Sequence, residues 1–263
     1  MKRTKLTALL LTFAMVLSLA LAGCSSNGNT STPAASNPAA SSSTTSTTSS
    51  TGAASSGATA DMTQAAEQLL VDLKGTYEEL WPVILDSKYD QTWLDDCKAV
   101  VGEQDAEAAA QQMKTACMGK LTGQEAIDAY TKDPDSMAFN CEFTQNVKQF
   151  VFDGNKISGL DADGKEVFSH TYKYVDYNAD LDFYEYQSED ADSGEFTWFF
   201  MRSDTPASTW HIEFRYGSDQ DALSEYVTGK YAYWMAAGIL TDCSEEDIGK
   251  AINLFCEENL KES

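Results

Sequence analysis

Residues 141–177 read CEFTQNVKQFVFDGNKISGLDADGKEVFSHTYKYVDY. Two Asp-Gly pairs, Asp153-Gly154 and Asp163-Gly164, punctuate runs in which apolar residues alternate with polar ones. Alternation of period two is the mark of a half-buried strand, and an Asp-Gly pair between such runs marks a hairpin turn. Phe143 to Phe152, the short run around Ile157, and Val167 to Tyr174 are therefore expected to form an antiparallel meander. Leu181 to Tyr186, Glu195 to Arg202 and Thr209 to Tyr216 continue it. About six strands with short connections point to a closed or nearly closed barrel, because an open sheet would leave two unpaired edges.

Outward from the meander the period changes. From Met62 to Val101, Leu69, Leu70, Leu73, Tyr77, Leu80, Trp81 and Ile84 recur at three-to-four spacing, which predicts helix with a break near Pro82. Glu103 to Gly119 and Thr122 to Tyr130 are further helical candidates, the second opened by Thr122-x-x-Glu125, the pattern of a capping box. After the meander, Ala222 to Tyr226, Tyr231 to Ile239 and Ser244 to Leu260 are expected to be helical, the last opened by Ser244-x-x-Asp247. The fold class is thus mostly β with helices: an antiparallel β-barrel with N- and C-terminal helical additions.

The N-terminus reads as an export signal. Lys2, Arg3 and Lys5 precede an apolar run that ends in Leu21-Ala22-Gly23-Cys24. Small residues directly before a cysteine match a lipobox, so residues 1–23 are expected to be removed and Cys24 to carry the lipid anchor. Residues 24–60 hold the lipidated cysteine and a Ser/Thr/Ala-rich stretch with no charged or aromatic residue, too polar to collapse and so expected to be a tether. A flexible chain of that length spans roughly 30–35 Å on average. The domain proper is 61–263, placed at the extracytoplasmic face of the cell membrane.

The formal net charge is −23, and removal of the signal makes it more negative. Nucleic acid is excluded as a partner by that balance, whereas cations are attracted to it. Besides Cys24 there are five cysteines, Cys97, Cys117, Cys141, Cys243 and Cys256, with no C-x-x-C pair. Cys243 and Cys256 bracket the last helix, yet spacing alone does not fix a connectivity. There is no Gly-rich phosphate loop, no H-E-x-x-H and no G-x-S-x-G, and the chain is not expected to be an enzyme.

The candidate site lies in TWHIEFRYGSD, residues 209–219. On a strand, Trp210, Ile212, Phe214 and Tyr216 share one face and His211, Glu213 and Arg215 the other. His211 and Glu213 are then about 6.5 Å apart at Cα and point the same way, here taken to be the barrel interior, close enough to chelate one divalent ion. Arg215 on the same face would compete with that ion. His170, the other histidine, would complete a two-imidazole, one-carboxylate set if the barrel brought it beside His211, and Asp204 is an alternative third donor. The acidic run Ser188 to Gly194 reads as a solvated hairpin loop.

The block LKGTYEELWPVILDSKYDQTWLDDCKA (73–99), the meander, HIEFRYGSD (211–219) and YAYWMAAGI (231–239) occur in the order seen in the ZinT family of exported zinc-binding proteins, which this chain resembles from Gln64 to Leu260. The resemblance implies a calycin/lipocalin-like antiparallel β-barrel with N- and C-terminal helical additions, and zinc as the ligand. That family uses three zinc histidines, one ahead of a proline and two in a His-x-His strand. Aligned on Pro206 and Gly217, these fall on Arg202, His211 and Glu213, so one histidine is kept, one becomes a carboxylate and one a cation. The expected function is a lipid-anchored zinc-binding protein working beside a metal-uptake system. The alternative is a metal-free calycin-like surface protein that binds a small ligand or a protein partner.

Overall fold

The computed structural model describes residues 52–261. The predicted signal segment, Cys24 and most of the expected tether lie outside them. Among the described residues no helix is long and apolar enough to cross a membrane. Helix α1, Gly52–Asp72, starts inside the stretch expected to be tether, where alanines favour propagating a helix back from its docked end.

Eight strands form a closed antiparallel barrel in which each strand pairs with its neighbours in sequence, and β1 with β8. They are β1 Gly75–Glu79, β2 Gln149–Asp153, β3 Lys156–Leu160, β4 Glu166–Asn178, β5 Phe183–Ser188, β6 Trp198–Met201, β7 Ile212–Gly217 and β8 Ala236–Leu240. Both Asp-Gly turns fall where the sequence puts them, between β2 and β3 and between β3 and β4. The barrel is as expected; the strand count is not. β1 and β8 lie in segments whose spacing predicts helix, and they are the two strands that pair to close the cylinder.

The lumen is filled. Phe150 sits at its centre with the rings of Phe143, Phe214 and Tyr216 at 4.8, 4.9 and 5.1 Å, mostly edge to face. Phe168 and Phe199 lie at 5.9 Å from it. Such pairs add to the burial of the rings themselves. A side chain at Gly159 would drive into the Phe168 ring, so glycine is what lets Phe168 lie across β3.

Outside the barrel a second core forms. Helices α2 (Leu80–Ile84), α3 (Asp90–Val101), α4 (Ala106–Ala116) and α7 (Glu245–Leu260) enclose Trp81, Trp93 and Phe255 and close over Ala237 and Ile239 of β8. Pro82 stands in the first turn of α2, where its missing N–H costs no helical bond. Helix α5 is Gly123–Lys132, but the expected capping box does not form there: Thr122 Oγ1 donates to Ala232 O and caps nothing. Residues 231–239, expected to be helical, supply β8, and only the short α6, Gln220–Leu223, remains between β7 and β8.

The start of α7 is as the sequence implies. Ser244 Oγ accepts from Asp247 N at 3.1 Å, and Glu245, Glu246 and Asp247 place negative charge at the positive end of the helix. Ser244→Ala is expected to cost about 1 kcal/mol, read as a fall of a few degrees in the thermal midpoint. An unchanged midpoint would show that tertiary packing alone fixes this end.

Candidate functional site

Strand β7 carries two faces, and their assignment reverses one expectation. Ile212, Phe214 and Tyr216 belong to the core inside the barrel, so His211, Glu213 and Arg215 point outward, under the helical layer. The apolar set takes the lumen because the packing of six rings there leaves no space for water to solvate a charge. Trp210 does not belong to the strand. It adopts a left-handed backbone (φ +62°), and Lys250 of α7 lies over its ring at 5.9 Å. That kink, costly for a non-glycine residue, turns His211 into the site just before the strand begins.

His211 is 5% exposed and its ring packs on Phe255 of α7. Its Nδ1 lies 2.7 Å from Thr209 O. A carbonyl can only accept, so Nδ1 carries the hydrogen, and in the neutral ring the lone pair is on Nε2. Nε2 faces Glu213 Oε1 at 3.8 Å. Burial depresses the imidazole's pKa, but Glu213 and Asp204 outweigh it and hold the group above the usual histidine value. Burial likewise opposes ionisation of Glu213, yet His211 and Arg202 draw its pKa below the ordinary glutamate value.

Two more residues join this pair from the chain after β6. Arg202 Nη1 approaches Glu213 Oε2 at 3.6 Å, and its guanidinium lies 5.4 Å over the Phe183 ring. Asp204 is 7% exposed, with Oδ2 buried and without a hydrogen-bond partner. Burial, then the Glu213 charge, push its carboxyl up to about 6. Glu258, on the exposed rim of α7, feels the same group: partial desolvation and the charges of Glu213 and Asp204 raise it to about 7 against the pull of His211 and Arg202. Glu258 has no signal in the sequence, because only the docking of α7 brings it within reach.

Arg215 does not compete for Glu213. It is fully buried and donates to the carbonyls of Leu223, Glu225 and Tyr231, which commits its fork to the segment between β7 and β8. The cation beside Glu213 is Arg202.

His170 is not brought to His211. Following the register, Phe214 pairs with Met201, Met201 with Tyr184 and Tyr184 with Tyr177, so the start of β7 lies level with the end of β4. His170 sits toward the opposite end of β4, roughly 25 Å away along the strands. Its Nδ1 instead meets Asp190 Oδ2 at 3.1 Å, in the acidic loop after β5. The same carboxylate oxygen accepts from Thr171 N, so this pair staples a hairpin.

Among the described residues, no three His, Cys, Asp or Glu side chains converge as a ready metal-binding cluster. What is formed in advance is a pair. Two donors that each bind an ion at about 2.0–2.1 Å stand 3–4 Å apart, and the separation of Nε2 from Oε1 is in that range. A neutral imidazole lone pair facing a carboxylate is repulsive unless a proton or a cation lies between them. The residues present therefore fit an ion at two positions, with Asp204 carrying an unpartnered oxygen nearby.

No protein-family model matches this sequence, and no curated protein matches it. Solved structures do. The chain is similar to the Zn(II)-bound ZinT-like domain of Streptococcus pneumoniae AdcA, at 15% identity and a TM-score of 0.45, over 70% of this chain and 89% of that one. It is also similar to Zn(II)-bound AdcA from Streptococcus pneumoniae, at 18% identity and a TM-score of 0.42, over 70% of this chain and 35% of that one.

Proposed function

We propose that this domain binds a divalent metal ion, zinc in the first instance, between His211 Nε2 and Glu213 Oε1, with Asp204 moving in as the third donor. The observation that carries the reading is the orientation of His211. A backbone carbonyl holds its Nδ1 hydrogen, which fixes the tautomer that presents Nε2 to Glu213, the outer-shell arrangement that orients metal-binding histidines. Binding has to displace a proton from the pair and loosen Arg202, so affinity is modest. The metal is cargo: an anchored domain with an acidic exterior raises the local cation concentration and passes the ion to an uptake system. The lipobox ending in Cys24 and the stretch that follows it support placement at the extracytoplasmic face.

A second reading is favoured by Arg202. With its guanidinium at 3.6 Å from Glu213, the cluster is already neutralised in part, and it serves as a closed polar support beneath the helical layer of a metal-free surface protein. The aromatic filling of the lumen leaves a partner protein rather than an apolar small ligand as the occupant of such a protein's surface.

Isothermal titration with zinc at neutral pH separates the two. The parent protein is expected to bind one ion, and the double variant His211→Ala, Glu213→Ala to lose at least about tenfold in affinity. Equal, weak heats from both would leave only the second reading.

A further inference from the structure

Four of the five cysteines in the described domain lie in two facing pairs. Cys97 in α3 and Cys256 in α7 are both fully buried, with their sulfurs 3.2 Å apart. Cys117 and Cys141 belong to chain segments joined by the antiparallel bridge Met118↔Asn140, with Gly119 N donating to Phe139 O and Phe139 N to Ala116 O. That register sets Cys117 directly opposite Cys141. Side chains directly opposite on antiparallel segments have Cβ atoms about 4.5–5.5 Å apart, near the reach of a disulfide. Cys243, just ahead of α7, has no such counterpart, although spacing along the chain would pair it with Cys256.

We infer that the protein carries two disulfides, Cys97–Cys256 tying α3 to α7 and Cys117–Cys141 clasping the segment after α4 to the one before β2, and that Cys243 remains a thiol. The first bond spans most of the domain and fixes the helix that supplies Phe255 and Glu258 to the candidate site. The second joins two segments already held by backbone hydrogen bonds. Neither depends on whether that site binds metal.

The chemistry requires a small-molecule or protein disulfide as oxidant. The Cys97 thiolate, favoured by the Cys256 thiol donating to it, attacks one sulfur of the oxidant and releases one thiol. Cys256 then loses its proton and attacks the Cys97 sulfur of the mixed disulfide, releasing the second thiol. Two cysteine thiols are oxidised and one oxidant disulfide is reduced to two thiols. Both cysteines are buried once folded, so the exchange takes place as α7 docks. An extracytoplasmic setting supplies such oxidants.

The test is to refold the full chain in detergent against glutathione disulfide, alkylate the remaining thiols, and map the digest by mass spectrometry without reduction. Expected are one peptide pair joined through Cys97 and Cys256, one joined through Cys117 and Cys141, and, among the five domain cysteines, an alkyl group on Cys243 only. The oxidised protein is expected to melt roughly 10 °C above the same sample after reduction, given the long loop that Cys97–Cys256 closes. Cys243→Ser should keep both links. Recovery of a Cys243–Cys256 link, or alkylation of all five domain cysteines, overturns the inference. Mapping the natural chain needs no cysteine variant to fold.

Discussion

Replacing Arg215 with methionine is expected to destabilise the domain by about 3–5 kcal/mol, the largest effect of any single polar substitution in this structure. Methionine keeps much of the volume, so the loss is not one of packing. The carbonyls of Leu223, Glu225 and Tyr231 lose their donors together, the first and last of them buried and the second partly so. Burial has pushed the guanidinium down to about 10, so it remains charged at neutral pH and its bonds are charge-assisted. Those bonds hold the chain between β7 and β8, including Tyr226, whose ring faces Arg215 at 5.5 Å. Lysine should not rescue, since a single ammonium does not reproduce a planar fork spread over three acceptors. The midpoint of urea unfolding reports the change. A loss below about 1 kcal/mol would mean that the carbonyls find other partners and that Arg215 is not what fixes this segment.

Asp204→Asn is expected to stabilise the metal-free protein at pH 8 while weakening zinc binding at least about tenfold. The sign follows from burial. The carboxyl is raised from an ordinary value of 3.8 to about 6, so its ionised form is disfavoured in the fold relative to the unfolded chain. Stability is therefore lost as pH rises from the unfolded value through about 6, and the full penalty, of order 1–3 kcal/mol, is present above it. Asparagine carries no charge to desolvate and escapes that penalty, so the variant's advantage should be full at pH 8 and vanish near pH 4. Bound zinc neutralises Asp204 and reverses the order: saturating metal should stabilise the parent more than the variant. A variant less stable than the parent at pH 8 would show that the ionised carboxylate is already satisfied, most directly by Arg202, and would remove the argument that this residue is held ready for a cation.

Both predictions act on residues that the chain displays on or near one strand, yet their roles diverge. His211, Glu213 and Arg215 share a face by the period of two, and the structure keeps them on one face. It then gives Arg215 to three backbone carbonyls and leaves Glu213 to Arg202, thirteen positions earlier than Arg215 on the other side of a loop. Alternation along a strand states which side chains are neighbours. It does not say what lies above them. Asp204 was readable as a donor from its place ahead of Pro206, whereas Glu258 was not, because a residue on the last helix reaches this site only through the fit of α7, by way of its Phe255, against Trp81 and His211.

The misread strands make the same point about the fold. Gly75–Glu79 continues a helical spacing in which Leu73 and Tyr77 are four apart, and in the structure they remain close, with Tyr77 OH donating to Leu73 O. Ala236–Leu240 is rich in alanine, which by itself favours helix. Each becomes a strand because it finds unpaired backbone groups on both sides: β1 between β2 and β8, and β8 between β7 and β1. Closing a cylinder satisfies a row of donors and acceptors that no local preference can match.

By itself, the sequence determined the meander, its two Asp-Gly turns, the cap on α7, the acidic character and the neighbourhood of His211 with Glu213, all of which depend on residues a few positions apart. The tertiary structure alone decided which face of β7 fills the barrel, which arginine meets Glu213, where His170 goes, which cysteines face each other and how the barrel closes. Those outcomes join residues tens to hundreds of positions apart, and at such distances side-chain burial and backbone pairing, which arise only when the whole chain has assembled, outweigh every local preference.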